Sequence, residues 1–360
     1  MAEFPEEVTV EILARLPVKS VSRFKTVCKP WNNLISNPYF ARKQLKHGSK
    51  LKILFRGSDI FESKFYSADY DKPDEQVMLN LPSSYVGWSY NSCDGLFVLS
   101  DVGEEDLVCI WNPSTGERYN LPVPFPEDSS CNKFNVKYGI GFDPTTEVYK
   151  VLRIEYCRCH MPDKNQIFLY TLNSNSWRRL NTIPYKPRIG VASKMVLVDN
   201  NLHFFGTWTN SEVRPNSKLI LSFDLSNEVF KEILLPNNGE GFMDIIQSSS
   251  RLCVAFYMSN PRRTDVWVMK EYGIQESWTK SFSINEEIYN EGRPLYLSEN
   301  AEILFCGCRR EASKYWTFCD SSICKVKSVE PDRKLGMWRT EIYTESLIST
   351  KILLQREKVM

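Results

Sequence analysis

The chain has 360 residues, with 45 Lys or Arg against 44 Asp or Glu, and is long enough for one large domain and a small one. No run approaches the roughly 18 apolar residues of a membrane span and no signal peptide opens the chain, so neither a spanning nor a secreted protein is expected. Eleven cysteines, an odd number scattered from Cys28 to Cys324, form no secreted framework and read as reduced thiols of a cytoplasmic or nuclear protein.

Residues 1–40 predict three short amphipathic helices. Pro5 suits a first helical turn, and Glu6 and Glu7 complement the positive end of that helix. Pro17 must end it. Val8, Ile12 and Leu16 lie four apart on one stripe; beyond the break Val21, Phe24, Val27 or Cys28, Trp31 and Leu34 repeat at three or four. About 40 residues rarely close a core alone, so this apolar surface calls for a second protein.

The segment from Phe4 to Phe40 resembles an F-box, the motif by which a target receptor docks on a Skp-type adaptor and through it a cullin. The likeness rests on Leu16-Pro17-Val18-Lys19-Ser20, Arg23-Phe24-Lys25, Val27-Cys28-Lys29 and Trp31. Phe4 stands where such motifs carry leucine, and Pro30 replaces a small polar residue, which is tolerable where it opens the third helix. The resemblance implies an adaptor contact made by Phe4, Pro5, Ile12, Leu13, Leu16, Pro17, Phe24, Val27, Cys28, Trp31, Leu34 and Ile35. Residues 1–50 hold nine Lys or Arg against four Glu, which fits an acidic adaptor surface better than nucleic acid, because the basic residues interleave with the docking stripe.

Residues 41–50 read as a basic linker, after which residues 51–350 read as all β. Aromatic and β-branched runs of five to eight residues alternate with Asn, Asp, Gly, Ser and Pro clusters. The runs repeat at a propeller-like period. One unit takes Lys137–Phe142, Val148–Ile154, Ile167–Tyr170 and Trp177–Leu180 as its four strands, and the count comes to about six blades. The first unit, residues 51–82, lacks a strand; the candidate strand at 340–348 is expected to complete it and close the ring. Residues 351–360 are left as a tail.

This half resembles the F-box-associated, kelch-related β-propeller of plant F-box proteins, through Ser92-Cys93-Asp94-Gly95-Leu96, Trp111-Asn112-Pro113-Ser114-Thr115, Gly139-Ile140-Gly141-Phe142-Asp143, Tyr149-Lys150-Val151 and Val266–Gly273. With the F-box it implies a receptor that brings a target protein for ubiquitination and degradation, with no chemistry of its own. The residues agree: only His47, His160 and His203 could serve as bases, and none sits in a nucleophile arrangement. Cys157-Arg158-Cys159 and Cys306-Gly307-Cys308 lack the paired knuckles of a zinc site, so no metal or cofactor is expected. The alternative is a propeller enzyme or sugar-binding module with a coincidental helical cap, but no carboxylate pair recurs at channel positions. Target recognition is expected on the connections between second and third strands, read as long at 101–106, 158–165, 207–216, 259–264 and 308–314. Arg158, Trp208, Arg214, Arg262, Arg263, Arg309 and Arg310 there would bind an acidic or phosphorylated segment.

Overall fold

The computed structural model describes residues 5–58, 63–80, 87–100, 107–122, 134–157, 165–181, 185–187, 194–208, 218–236, 242–248, 250–259, 261–285, 293–308, 314–320 and 336–350. It opens with four helices, where the sequence reading expected three: α1 (Glu6–Ala14), α2 (Val18–Phe24), α3 (Lys29–Ile35) and α4 (Pro38–His47). Proline sets each entry. Pro5 and Pro17 are the N-caps of α1 and α2, Pro30 lies in the first turn of α3, and Pro38 opens α4 behind Asn37, whose Oδ1 accepts from Tyr39 N at 2.8 Å.

The fourth helix occupies most of the stretch read as a linker. Its sequence hides it, because Arg42, Lys43, Gln44 and Lys46 give it a polar look, yet Phe40, Ala41 and Gln44 are buried. Gln44 Nε2 donates to Leu16 O at 3.1 Å, Lys43 pairs with Glu11, and α4 packs along α1. The helix ends at Gly48, where a Cβ would stand 2.5 Å from Ala14 O and 2.7 Å from Leu16 O, so only glycine allows this approach.

Among the described residues the elements that follow are strands, with a short 3-10 turn at Gln275–Ser277. The first meander is β1 (Leu51–Ser58), β2 (Ser63–Asp69) and β3 (Lys72–Leu79); the second is β4 (Gly87–Cys93), β5 (Leu96–Ser100), β6 (Val108–Trp111) and β7 (Arg118–Asn120). The third is β8 (Phe134–Asp143), β9 (Val148–Cys157), β10 (Gln166–Thr171) and β11 (Ser176–Leu180). The fourth has its inner edge in two pieces, β12 (Tyr185–Pro187) and β13 (Val196–Val198), both paired with β14 (Asn201–Trp208), followed by β15 (Lys218–Asp224) and β16 (Val229–Ile233). The fifth is β17 (Phe242–Ser248), β18 (Cys253–Ser259), β19 (Arg262–Met269) and β20 (Trp278–Asn285); the sixth is β21 (Arg293–Leu297), β22 (Glu302–Cys308) and β23 (Lys314–Asp320). The last strand is β24 (Gly336–Thr344).

These strands form five hydrogen-bonded sheets, because a short parallel pairing of β17 with β21 joins the fifth and sixth meanders into one sheet of seven. The innermost strands β24, β4, β8, β13, β17 and β21 touch in that order around an axis. Middle strands are apolar on both faces: in β10 Ile167, Phe168, Leu169 and Tyr170 are all buried, since each blade is covered by a neighbour on either side. Outer strands such as β11 are largely exposed.

The ring closes as the sequence reading expected. Strand β24 pairs antiparallel with β1, Ile53 opposite Ile342 and Phe55 opposite Thr340, and supplies the inner strand that the first meander lacks. The expected strand at 340–348 stops at Thr344, however. Residues 345–350 instead run as an irregular strap, buried but for the half-exposed Ser349, between the helices and the second meander. Asn112 Nδ2 donates to Ser346 O at 3.1 Å and Ile348 O at 2.9 Å; Glu117 accepts from Ser349 Oγ and Thr350 N at 2.6 and 3.1 Å. Gly95, at φ +78°, lets the strap pass: its Cβ would sit 2.6 Å from Thr344 O.

Candidate docking surfaces

The helices turn one side to the propeller and leave another uncovered. Leu13, Ala14, Val18, Val21, Ile35, Phe40 and Ala41 join one core cluster with Cys93, Leu96, Tyr149, Leu172, Leu347 and Ile348. The N-terminus of α2 is held by the strap, where Glu345 Oε1 accepts from Val18 N at 3.3 Å and lies 3.6 Å from Lys52 through its other oxygen. The Arg42 guanidinium lies 4.1 Å over the Phe142 ring.

Of the residues implied for adaptor binding, Pro5, Ile12, Val27 and Cys28 are exposed, with Ile12 at 54% and Val27 at 61%. Leu16, Pro17, Phe24, Trp31 and Leu34 are half-buried, and the Phe24 and Trp31 rings meet edge to face at 5.5 Å. Leu13 and Ile35 are buried and offer no surface. Phe4 lies outside the described residues. Helix α1 thus carries two apolar stripes, Val8 with Ile12 facing outward and Leu13 with Ala14 facing the core, and the four-residue spacing exposed only the first to a sequence reading.

The helices and strap meet the turns that follow first and third strands: the β8–β9 turn at Thr146 to Val148, the β10–β11 turn at Leu172 and Asn173, and the β6–β7 turn at Asn112 and Ser114. Strands alternate direction within each meander, so connections between second and third strands emerge on the opposite face. One of these is not long. Ser259 pairs directly with Arg262, which makes β18 and β19 a tight hairpin and puts Arg262 and Arg263 in strand β19 instead of a loop. Arg262 is exposed, and Arg263 Nε lies 3.2 Å from Asp265 Oδ1. Trp208 ends β14, while Arg158, Arg214, Arg309 and Arg310 lie outside the described residues.

Electrostatics in the described blades serve packing. Lys150, 4% exposed, bridges the third and fourth meanders through Asp143 and Glu228, both at 2.9 Å. Burial alone would raise Asp143, but hydrogen bonds from Ser226, Thr146 and Lys150 outweigh it and hold the carboxyl well below its usual range. At Asp94 burial wins and raises the carboxyl, although Tyr149 donates to it at 2.6 Å. Among the described residues, no three His, Cys, Asp or Glu side chains gather as a metal site would need, and no helix is long and apolar enough to cross a membrane.

Comparison with known proteins agrees with this arrangement. Residues 1–43 match the F-box domain and residues 64–350 the F-box associated beta propeller domain. F-box protein CPR1 of Arabidopsis thaliana is 30% identical across 83% of this chain and 78% of its own length; F-box protein ETP2 of the same plant is 26% identical across 84% and 83%. Among solved structures, TolB from Acinetobacter baumannii superposes with a TM-score of 0.51 at 12% identity, covering 81% of this chain and 66% of that one, a likeness of fold alone. An F-box followed by this propeller over nearly the whole chain places the protein in the family of F-box proteins with an F-box-associated β-propeller.

Proposed function

We propose that this chain is the target-recognition subunit of a Skp-cullin-F-box ubiquitin ligase, acting in the cytoplasm or nucleus and bringing a protein for ubiquitination and degradation. One observation carries the reading: in the helical module that matches the F-box domain, Ile12 on α1 and Val27 in the turn between α2 and α3 stand exposed while the opposite side of the module is packed against the propeller. With Val8 and the half-buried Leu16, Phe24, Trp31 and Leu34 they add up to more apolar surface than a single exposed side chain, as a docking site would need. The adaptor would cover them together with Leu16, Phe24, Trp31 and Leu34, and the basic residues around them suit an acidic partner. The chain would act by binding alone, without catalytic groups or a cofactor.

Replacing exposed residues tests docking without opening the core. The double variant Ile12→Asp, Val27→Asp should weaken capture of a plant Skp-type adaptor at least tenfold, since a desolvated aliphatic anchor is worth about 2 kcal/mol. Its thermal unfolding should match the parent's. Undiminished co-purification of the adaptor with the double variant would refute the reading.

A further inference from the structure

The described residues enclose a cleft where α4, the third meander and the C-terminal strap come together, away from both the exposed side of the helices and the far face of the propeller. Its volume is about 120 Å³. An apolar cavity of roughly 150 Å³ takes benzene; this cleft is somewhat smaller but open to solvent, so it suits a short branched chain or a single ring that reaches its mouth. Its walls include Ala41, Leu172 and Leu347, each less than 5% exposed, and the half-buried Val148. Arg42 lines it too. That guanidinium rests on Phe142 and, among the described residues, has no hydrogen bond and no ion pair.

Five N–H donors in a fixed fork without an acceptor are an unspent capacity for a planar oxyanion. Two carboxylates bear on it. Asp94 feels the Arg42 charge, but its carboxyl takes its hydrogen bond from Tyr149, and no ion pair joins it to the guanidinium among the described residues. Glu147 lines the cleft but is exposed, where water and salt screen it.

We propose that this cleft binds a small organic acid, its apolar ring or chain against Ala41, Val148, Leu172 and Leu347 and its carboxylate on Arg42. A bound acid touches helix α4, the β8–β9 turn and the strap at once, so it joins the helical module to the propeller and stabilises the junction in proportion to its occupancy. Adaptor binding is not needed for it, and its failure would leave the ligase reading untouched.

The probe is 3-phenylpropionate, titrated by calorimetry into the full chain alone and as the adaptor complex, with its neutral amide and inorganic phosphate as comparisons. The acid should bind and raise the melting temperature, the amide should bind at least tenfold more weakly, and phosphate alone should not bind at these concentrations. Arg42→Gln should weaken the acid at least tenfold, and Val148→Phe, which fills the cleft, should abolish binding of acid and amide alike. The acid-to-amide ratio on the unaltered protein decides the matter even where a variant fails to fold. Equal binding of acid and amide, phosphate binding as tightly as the acid, or no binding of the acid at millimolar concentration would each overturn the proposal.

Discussion

His203 lies in β14 with no surface exposure, and its partners fix its tautomer. Val196 O, which can only accept, lies 3.2 Å from Nδ1, so Nδ1 carries the proton. Nε2 therefore accepts from the Tyr272 hydroxyl at 2.6 Å, and that hydroxyl in turn accepts from Ser222 Oγ at 2.8 Å. Burial pushes the His203 pKa from 6.5 down to about 4, against its hydrogen bonds to the backbone of Val196 in β13 and Asn201 in β14. The unfolded chain thus takes up a proton below pH 6.5 that the folded chain refuses until about 4. Stability from the neutral ring is complete above pH 6.5 and is lost as pH falls through that window, on the order of 3 kcal/mol in all. His203→Gln, uncharged at every pH, should flatten the fall in urea midpoint between pH 6.5 and 4.5, whatever it costs at pH 7. Aspartates held low, such as Asp143 and Asp265, act mainly below that range. An unchanged slope in the variant would mean that another group takes up the proton. The run Leu202-His203-Phe204-Phe205 made the strand position of this histidine legible from sequence, but Tyr272 is 69 residues away and only the blade packing brings it there.

At the scale of elements, the strands were legible because the blade repeat writes each one as a short apolar run between turn clusters, and because a missing inner strand at one end implies a spare one at the other. Helix α4 was not, since its buried positions include Gln44 and Ala41, which carry no apolar signature. The strap was read as the end of a strand, because Leu347 and Ile348 look the same in sequence whether they pair in a ladder or fill a seam. A series of truncations separates these devices. Removing 351–360 should leave solubility and cooperative unfolding intact. Removing 345–360 keeps β24 and the closed ring, but takes away Glu345 from the N-terminus of α2 and the partners of Asn112, so the helices should become sensitive to protease while the propeller persists. Removing 336–360 uncovers the edges of β1 and leaves a gap beside β4 and β21, and should give aggregation. A soluble protein that unfolds cooperatively without residues 336–360 would show that the ring does not depend on β24.

For the molecule as a whole, this topology puts the helices and the second-to-third-strand connections on opposite sides of the disc. Helices and strap cover turns on one face under the second and third meanders, and the hairpins between second and third strands open on the other. On our reading a target held on the far face would not compete with an adaptor on the helices, and the strap would fix the angle between the two. The side on which the second-to-third connections emerge was legible in the alternation of strand direction. The loop lengths were not, since Pro261 between Ser259 and Arg262 marks a turn but not its size. The tight hairpin separates the roles of Arg262 and Arg263. Arg263 is tied to Asp265, whose carboxyl also accepts from Ser283 and Lys280, so a glutamate there would set two acids together and disturb the blade. Arg262 lies on that face, and Arg309 and Arg310, outside the described residues, follow the end of β22 in sequence; our reading is that the three receive an acidic or phosphorylated segment through paired guanidinium contacts. Exchanging these three for glutamate should remove the proteins that accumulate on the parent chain when the proteasome is blocked, while adaptor capture stays at the parent level. Exchanging them for lysine should leave at most a weak remainder, because an ammonium cannot make the forked contact. If the glutamate variant retains its targets, recognition lies elsewhere on the propeller and the arginines of this face serve only its solvation.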